Sequence, residues 1–428
     1  MITARAFAGK HYTVYGLARS GLATVEALLA SGARVTAWDG KKEARAKAPA
    51  GTEIANLDEA DLTKFDNLVV TPGLPLNRHP IAARARAAGL EIIGDIELFA
   101  RARAELPPHK VVGITGTNGK STTTALIHHL LKISGVPTTM GGNIGLPILA
   151  QDPLPEGGVY VLELSSYQID LTKSLDCDVA VLLNITPDHL DRYDSFEAYA
   201  ASKVRLFAMQ STEHHALVGT SDHTSVLAAM RQWRRRDQAP WFEKRDSAPR
   251  QSAWPTLQGP HNLQNALAAI AVSEALDVGA EGIEEGLRTY PGLPHRMERV
   301  RENDGVLFVN DSKATNPTAT APALASFPSI RWILGGQAKT DDLDECAPHF
   351  GHVRSAYVIG EAADLFERLL KNRMPVKNCG KLGDAVREAA RDARAGDTVL
   401  LSPACASFDQ FRDFEDRGDR FRAYVGAL

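Results

Sequence analysis

The sequence predicts an α/β protein of two or three domains with mainly parallel sheets, and three observations lead there. At 428 residues the chain exceeds what one core holds, since single cores stop growing at roughly 250–300 residues. Short apolar, β-rich runs alternate with helical stretches along its whole length, the pattern of strands joined by helical crossovers rather than of a bundle or a sandwich. Two of these runs lead through a glycine-rich turn straight into a helix.

Taken in order, the first group of elements has strands near 11–16 (HYTVYG), 34–38 (RVTAW) and 68–71 (LVVT) and a helix near 95–104. Pro107-Pro108 stops that helix and marks a linker. A second group opens with KVVGIT at 110–115 and continues through VYVLEL at 159–164 and DVAVLLN at 178–184 to a helix at 261–276. RTYPGLPHR at 288–296, with two prolines and a glycine, punctuates the chain. The third group holds strands VLFVND at 306–311, RWILGG at 331–336, SAYVIG at 355–360 and TVLLS at 398–402. The expected domains are therefore 1–98, 99–294 and 295–428. No internal repeat at a solenoid period is visible.

Composition bounds the partners. With 23% charged residues and a net charge of −4, the chain has neither the basic excess of a nucleic-acid binder nor an acidic tail. The basic run at 231–250 reads as a solvated surface excursion. The first residues lack the apolar core of a signal peptide, and no stretch approaches the ~20 apolar residues that cross a bilayer, so a cytoplasmic protein is expected. Cys177, Cys346, Cys379 and Cys405 lie far apart with no zinc-type spacing and read as reduced packing residues.

The strongest motif is TGTNGKS at 115–121, between the apolar strand VVGI and the helix TTTALIHHLLK. A phosphate cradle needs this layout. Gly116, Thr117, Asn118 and Gly119 present backbone N–H groups, and the helix start, with Thr122 in it, adds positive potential. Lys120 supplies a point charge, and the Ser121 hydroxyl can hold Mg²⁺. Ile114 stands where a strict Walker A has its first glycine, so the match is to GTNGK[ST]. The bland alternative is a glycine-rich turn. This motif makes the second domain a P-loop-type ATPase domain.

Magnesium takes few oxygen ligands from protein and leaves the rest to phosphate and water. Glu163 interrupts the apolar strand VYVLEL, an expensive place for a carboxylate unless it is paired or metal-bound. His189, in NITPDHLDRY, follows the strand VAVLLN, where loops at carboxyl ends collect ligands. Lys203, in SKVRLF, reads by itself as a surface helix lysine. At the other glycine-rich turn, Gly16 to Gly21 follows TVY, and Asp39 ends the next strand. The layout imitates a dinucleotide fingerprint and predicts a Rossmann-like first domain, but Ala18 replaces the middle glycine, which speaks against NAD.

In order along the chain, GTNGKS, ELSSYQ, NITPDHLDRY, GPHNLQNALAA, LPHRME, NDSKATNP and PACASFDQF resemble the motifs of the Mur ligases, the ATP-dependent amide-bond-forming enzymes of peptidoglycan precursor synthesis. The last two resemble the D-glutamate-adding branch in particular, and the Asp-Asn-Pro-Arg signature of the diaminopimelate-adding sibling is absent. The resemblance implies a third, Rossmann-like domain for the amino acid. It also implies a reaction in which D-glutamate is added to UDP-N-acetylmuramoyl-L-alanine through an acyl phosphate, with ATP and Mg²⁺, by a monomer acting on small molecules. By resemblance, Lys120, Asn143, His189 and Lys203 are catalytic. Ser121 and Glu163 would hold one Mg²⁺, with His189 and Lys203, the latter as its carbamate, at a second. Asn262 and Asn265, in a helix-opening segment with His261, would attend ATP together with His295, Arg296 and Asp311, and Leu17, Ala18, Asp39, Thr71, Gly73 and Asn143 the UDP substrate. Lys313, Thr315, Lys339, Ser407 and Phe414 would hold D-glutamate, two lysines and hydroxyls suiting an amino acid with two carboxylates. The rival readings are a sibling Mur ligase, a folylpolyglutamate synthase-like ligase, and a non-catalytic nucleotide-binding relative.

Overall fold

A computed structural model describes residues 1–186, 192–219, 241–242 and 251–428. The chain forms two compact units, one of residues 1–253 and 260–289, the other of residues 254–259 and 290–428.

The first unit contains two all-parallel sheets. One joins β1 (His11–Tyr15), β2 (Arg34–Trp38), β3 (Glu53–Ile54), β4 (Asn67–Val70) and β5 (Glu91–Ile93) in the order β3-β2-β1-β4-β5. The other joins β6 (His109–Thr115), β7 (Thr138–Gly142), β8 (Gly158–Glu163), β9 (Val179–Leu182), β10 (His215–Gly219) and β11 (Trp241–Phe242) in the order β11-β10-β9-β6-β8-β7. All six residues of β8 and all four of β9 are buried, as expected for central strands covered on both faces by crossover helices. The strand β11 comes from the predicted surface excursion, most of which lies outside the described residues.

Pro107-Pro108 does not separate loosely tethered bodies. β6 begins at the next residue, and one core cluster runs from Ile2 and Val14 through Phe99 and Tyr160 to Val218. Glu97, 1% exposed, joins the two sheets' surroundings, accepting from Lys173 N (2.7 Å), Ser174 N (2.9 Å), Ser174 Oγ (2.9 Å) and Arg101 Nε (2.8 Å). Four donors offset the cost of burying that carboxylate.

The second unit is built on β12 (Glu298–Asn303), β13 (Val306–Asn310), β14 (Ile330–Gly335), β15 (Val353–Ile359), β16 (Val376–Gly380) and β17 (Thr398–Leu401), ordered β12-β13-β17-β14-β15-β16. Only the β12–β13 hairpin is antiparallel. Side chains alternate across this sheet with period two. Trp332, Leu334 and Leu400 enter one core cluster, and Ile333, Val399 and Leu401 the other, each such buried aliphatic being worth roughly 1.5–3 kcal/mol. In both units the strands deliver their carboxyl ends, and the loops beyond them, to the sequence-predicted site residues.

Candidate active site

The phosphate loop leaves β6 at Thr115 and enters the helix Lys120–Ile133. Gly119 is its N-cap with φ 85°, and a Cβ there would lie 2.3 Å from Asn265 Oδ1; the left-handed angle and the contact both require glycine. A glycine cap offers no side chain to the first turn, which leaves that role to a phosphate oxygen. Asn184, just past β9, holds the loop: its carbonyl accepts from Thr117 N and its Oδ1 from Asn118 N, both at 2.9 Å. Lys120 Nζ folds back to Gly116 O and Thr117 O, both 2.9 Å. Ser121 is 9% exposed in the first turn, with half-buried Thr122 beside it.

Glu163 ends β8, paired in register with Ile114 of β6 and Gly142 of β7. Asn143 follows β7 and grips Glu163 twice, N to O and Nδ2 to Oε1, each 2.9 Å. The other carboxylate oxygen, Oε2, is buried with no hydrogen-bond partner among the described residues. An orphaned buried carboxylate oxygen one strand from a phosphate loop is the chemistry of a cation ligand, so the residues fit a magnesium ion.

Lys203 corrects the surface-lysine reading. It sits in the helix Phe196–Ala208 only 2% exposed, its Nζ 2.9 Å from Gly116 O and 4.7 Å from the Tyr199 ring centre. Tyr199 OH in turn meets Thr117 Oγ1 at 3.1 Å. The helix thus docks on the phosphate loop through a lysine and a tyrosine. His189 lies outside the described residues.

His261, Asn262 and Asn265 open the helix Pro260–Ala275. Asn265 Nδ2 donates to Asn262 Oδ1 (3.3 Å) and its Oδ1 accepts from Thr123 Oγ1 (3.2 Å), which places the pair against the phosphate-loop helix. His261 is exposed.

At the first sheet, Leu17, Ala18, Thr71 and Gly73 gather at the carboxyl ends of β1 and β4, the point where the strand order reverses and ligands bind in such sheets. Gly21 packs so closely under the turn that a Cβ would lie 1.9 Å from Gly16 O. Ala18 caps the helix Arg19–Ala30 with no side-chain hydrogen bond. Asp39 locks the turn, Oδ2 accepting from Leu17 N and Oδ1 from Lys41 N, both 2.8 Å, with lone pairs left for a ligand. Arg192 clamps the TPGL turn through the carbonyls of Pro72 (3.2 Å), Gly73 (3.3 Å) and Leu74 (3.1 Å).

In the second unit, Lys313 and Thr315 follow β13, Lys339 follows β14, Ser407 follows β17, and Phe414 begins the helix Phe414–Gly426. Lys313 Nζ stands 4.7 Å over the Phe414 ring, and Lys339 Nζ lies 3.5 Å from Thr315 Oγ1. Ser407 is 2% exposed. His295 is pinned by Asn310 Nδ2 at 3.0 Å, and burial lowers its pKa. Arg296 follows it and adds positive charge near Asp311, whose carboxyl accepts from Ser402 Oγ (2.8 Å) and Met297 N (3.2 Å). Burial raises the Asp311 pKa to about 7.

Sequence reasoning passed over Asn184, Tyr199 and Arg192. Asn184 ends a quoted strand, and its signal was a polar side chain at the carboxyl end of a buried run. Tyr199 and Arg192 carried none.

The fold and site define a multidomain α/β protein with a phosphate loop of the P-loop type. The description of the Mur ligase middle domain matches residues 114–239, that of the MurD-like N-terminal domain residues 10–94, and that of the Mur ligase glutamate ligase domain residues 295–405. This chain belongs to the Mur ligase family. It is 61% identical to the UDP-N-acetylmuramoylalanine--D-glutamate ligase of Novosphingobium aromaticivorans, over 100% of this chain and 97% of the relative. Its identity to the enzyme of the same name from Sphingopyxis alaskensis is 59%, over the whole of both chains. The fold is shared with the solved UDP-N-acetylmuramate-alanine ligase MurC of Thermotoga maritima, with a TM-score of 0.60 and 17% identity over 98% of this chain and 100% of that one.

Proposed function

We propose that this chain is the ATP-dependent ligase that joins D-glutamate to the L-alanyl carboxyl of UDP-N-acetylmuramoyl-L-alanine in peptidoglycan synthesis. The observation that carries the reading is full-length identity of 54–61% to three ligases of that name. The geometry supports it.

Water alone does not join a carboxylate to an amine at useful rates, so one carboxylate oxygen must become a leaving group. The substrate carboxylate attacks the γ-phosphorus of ATP, forming a carboxyl O–P bond as the bond to the β-phosphate oxygen breaks and ADP leaves. Lys120 and the loop's backbone N–H groups neutralise charge on the transferring phosphoryl oxygens. The D-glutamate amine then attacks the acyl carbon, the tetrahedral intermediate expels inorganic phosphate, and the amine proton passes to solvent. Asn143 holds Glu163 and the strand end where the reacting carboxylate lies. Ser121, Glu163, His189 and a carbamylated Lys203 would hold Mg²⁺, which supplies positive charge to the phosphate oxygens.

Residues 1–98 take the UDP substrate, 99–294 take ATP and 295–428 take D-glutamate in a cytoplasmic, monomeric enzyme. Among the described residues no helix is long and apolar enough to cross a membrane. Phosphate release measured across D-glutamate, L-glutamate, L-alanine and diaminopimelate, with UDP-N-acetylmuramoyl-L-alanine and Mg²⁺-ATP present, tests the reading. Turnover with D-glutamate alone is expected. Activity with L-glutamate and folate in its place would assign the chain to a folylpolyglutamate synthase-like sibling, and no turnover at all to a non-catalytic relative.

A further inference from the structure

Arg417, in the helix Phe414–Gly426, is 0% exposed, a rare fate for an arginine. Its five N–H donors all find acceptors. Nε donates to Ser312 Oγ at 3.0 Å, and Nη2 to Ser312 O (2.8 Å) and Cys405 O (3.0 Å). Nη1 donates to Gly335 O (3.4 Å) and Ala406 O (3.3 Å). Every one of these partners is neutral. Ser312 precedes Lys313, Gly335 ends the strand that leads to Lys339, and Cys405 and Ala406 precede Ser407. The three loops come from β13, β14 and β17, which are neighbours in the sheet. Ser312 Oγ also donates to Phe414 O (2.8 Å), and Gln337 and Ala406 exchange backbone bonds of 2.9 Å, so the loops are tied to one another as well as to the arginine.

A carboxylate is the usual answer to a buried guanidinium. Here carbonyl dipoles from three loops take its place within hydrogen-bond reach, and the Asp409 carboxylate acts from farther off. The planar fork reaches all three at once, whereas a lysine ammonium has three donors at one point.

We propose that Arg417 is the positioning residue of the amino-acid site: it gathers the loops that carry Lys313, Lys339 and Ser407, and its charge, hydrogen-bonded to neutral groups and offset only in part by Asp409, favours a dicarboxylate over a neutral amino acid. This rests on the D-glutamate reading above. The Asp409 carboxylate attracts the guanidinium through space and offsets part of its charge; the remainder belongs to the site's potential, because the dipoles orient around the cation without cancelling it.

Arg417→Lys keeps the charge and loses the fork; Arg417→Met loses both. Steady-state kinetics with D-glutamate, D-glutamine, ATP and the UDP substrate separate the two effects, with cooperative thermal unfolding as the check on folding. For Arg417→Lys a rise in KM for D-glutamate of about tenfold or more is expected, with KM for ATP and the UDP substrate within about twofold and the preference for D-glutamate over D-glutamine retained. For Arg417→Met that preference falls about tenfold as well. A folded Arg417→Lys whose D-glutamate KM is unchanged, or whose KM values all rise together, overturns the proposal, as does an unchanged preference in folded Arg417→Met. If neither folds, Ser312→Ala, which removes the Nε acceptor and the hydroxyl's bond to Phe414 O, decides: a rise confined to the D-glutamate KM supports the proposal, and no rise overturns it. Wild-type protein inactive with D-glutamate would sink the functional reading instead, so the two failures are distinct.

Discussion

Replacing Glu163 with glutamine should stabilise the nucleotide-free protein while abolishing its response to magnesium. Glu163 is 2% exposed; Asn143 Nδ2 serves its Oε1, and among the described residues nothing serves its Oε2. A buried acceptor left unsatisfied costs about 1–3 kcal/mol, more when the group is charged. Glutamine keeps the carbonyl that Asn143 binds and puts a neutral amide nitrogen where the orphaned oxygen was. The amide is also unpartnered, but desolvating a neutral group costs less than desolvating a carboxylate. The difference should favour Glu163→Gln by about 1 kcal/mol, or about 2–4 °C in Tm. Thermal melts with ATP, with and without Mg²⁺, read both halves of the claim. In the wild type, saturating ligand at 100 times its Kd adds about 2.7 kcal/mol; in the variant the magnesium-dependent part of that gain should vanish. A variant that melts several degrees lower without nucleotide, or that keeps the magnesium-dependent gain, refutes the reading of Glu163 as a cation ligand whose burial is a cost borne for function.

Lys203→Arg keeps a cation at Gly116 O but cannot form the lysine carbamate; a loss of about 10²-fold or more in kcat is expected, and retained activity means the lysine only packs. Gly119→Ala puts a Cβ 2.3 Å from Asn265 Oδ1 at φ 85°, so a stability loss of about 1–3 kcal/mol should accompany weaker ATP binding in calorimetry; normal affinity would show that the loop tolerates a side chain. Burial raises the Asp311 pKa from 3.8 to about 7, so the folded state holds a proton that the unfolded state releases. The stability this contributes is complete below pH ~4 and is lost as pH rises through about 7, up to about 4 kcal/mol. Asp311→Asn should remove that dependence. Chemical denaturation of both proteins at pH 5 and pH 8 checks it, and a wild-type minus variant difference that stays constant refutes it.

The strands legible in the sequence are those with apolar, largely buried runs, and most of their predicted ends overrun by a residue. LVVT runs to Thr71 while β4 stops at Val70, and SAYVIG runs to Gly360 while β15 stops at Ile359. The overrun residues are where chain leaves sheet to build the site. β3, two exposed residues, β7, ending in two glycines, and β12, ERVREN, lack an apolar run and give no signal. Their pairing comes from neighbours, a tertiary effect that no local window contains. The site divides in the same way. Glu163 is legible because an acid in an apolar strand is costly anywhere. Lys203 and Arg417 are not, because a basic residue on a helix reads as solvated until the packing that buries it is known.

The arrangement around Gly116 joins these points. Lys120 Nζ and Lys203 Nζ both donate to its carbonyl at 2.9 Å, so two ammonium groups come within two hydrogen-bond lengths of each other beside a half-buried loop. Like charges so placed repel each other. Lys120 has a way out, since an arriving phosphate gives its charge a stronger partner than Thr117 O. Lys203 has no such freedom: it is buried, its stem lies along Tyr199, and its helix is fixed to the loop through Tyr199 and Thr117. Converting its amine to a carbamate would turn the repulsion into attraction and present oxygen to a magnesium ion without moving the helix. The carbamate proposed above would thus account for a lysine at this buried position, by its reach and its reactive nitrogen.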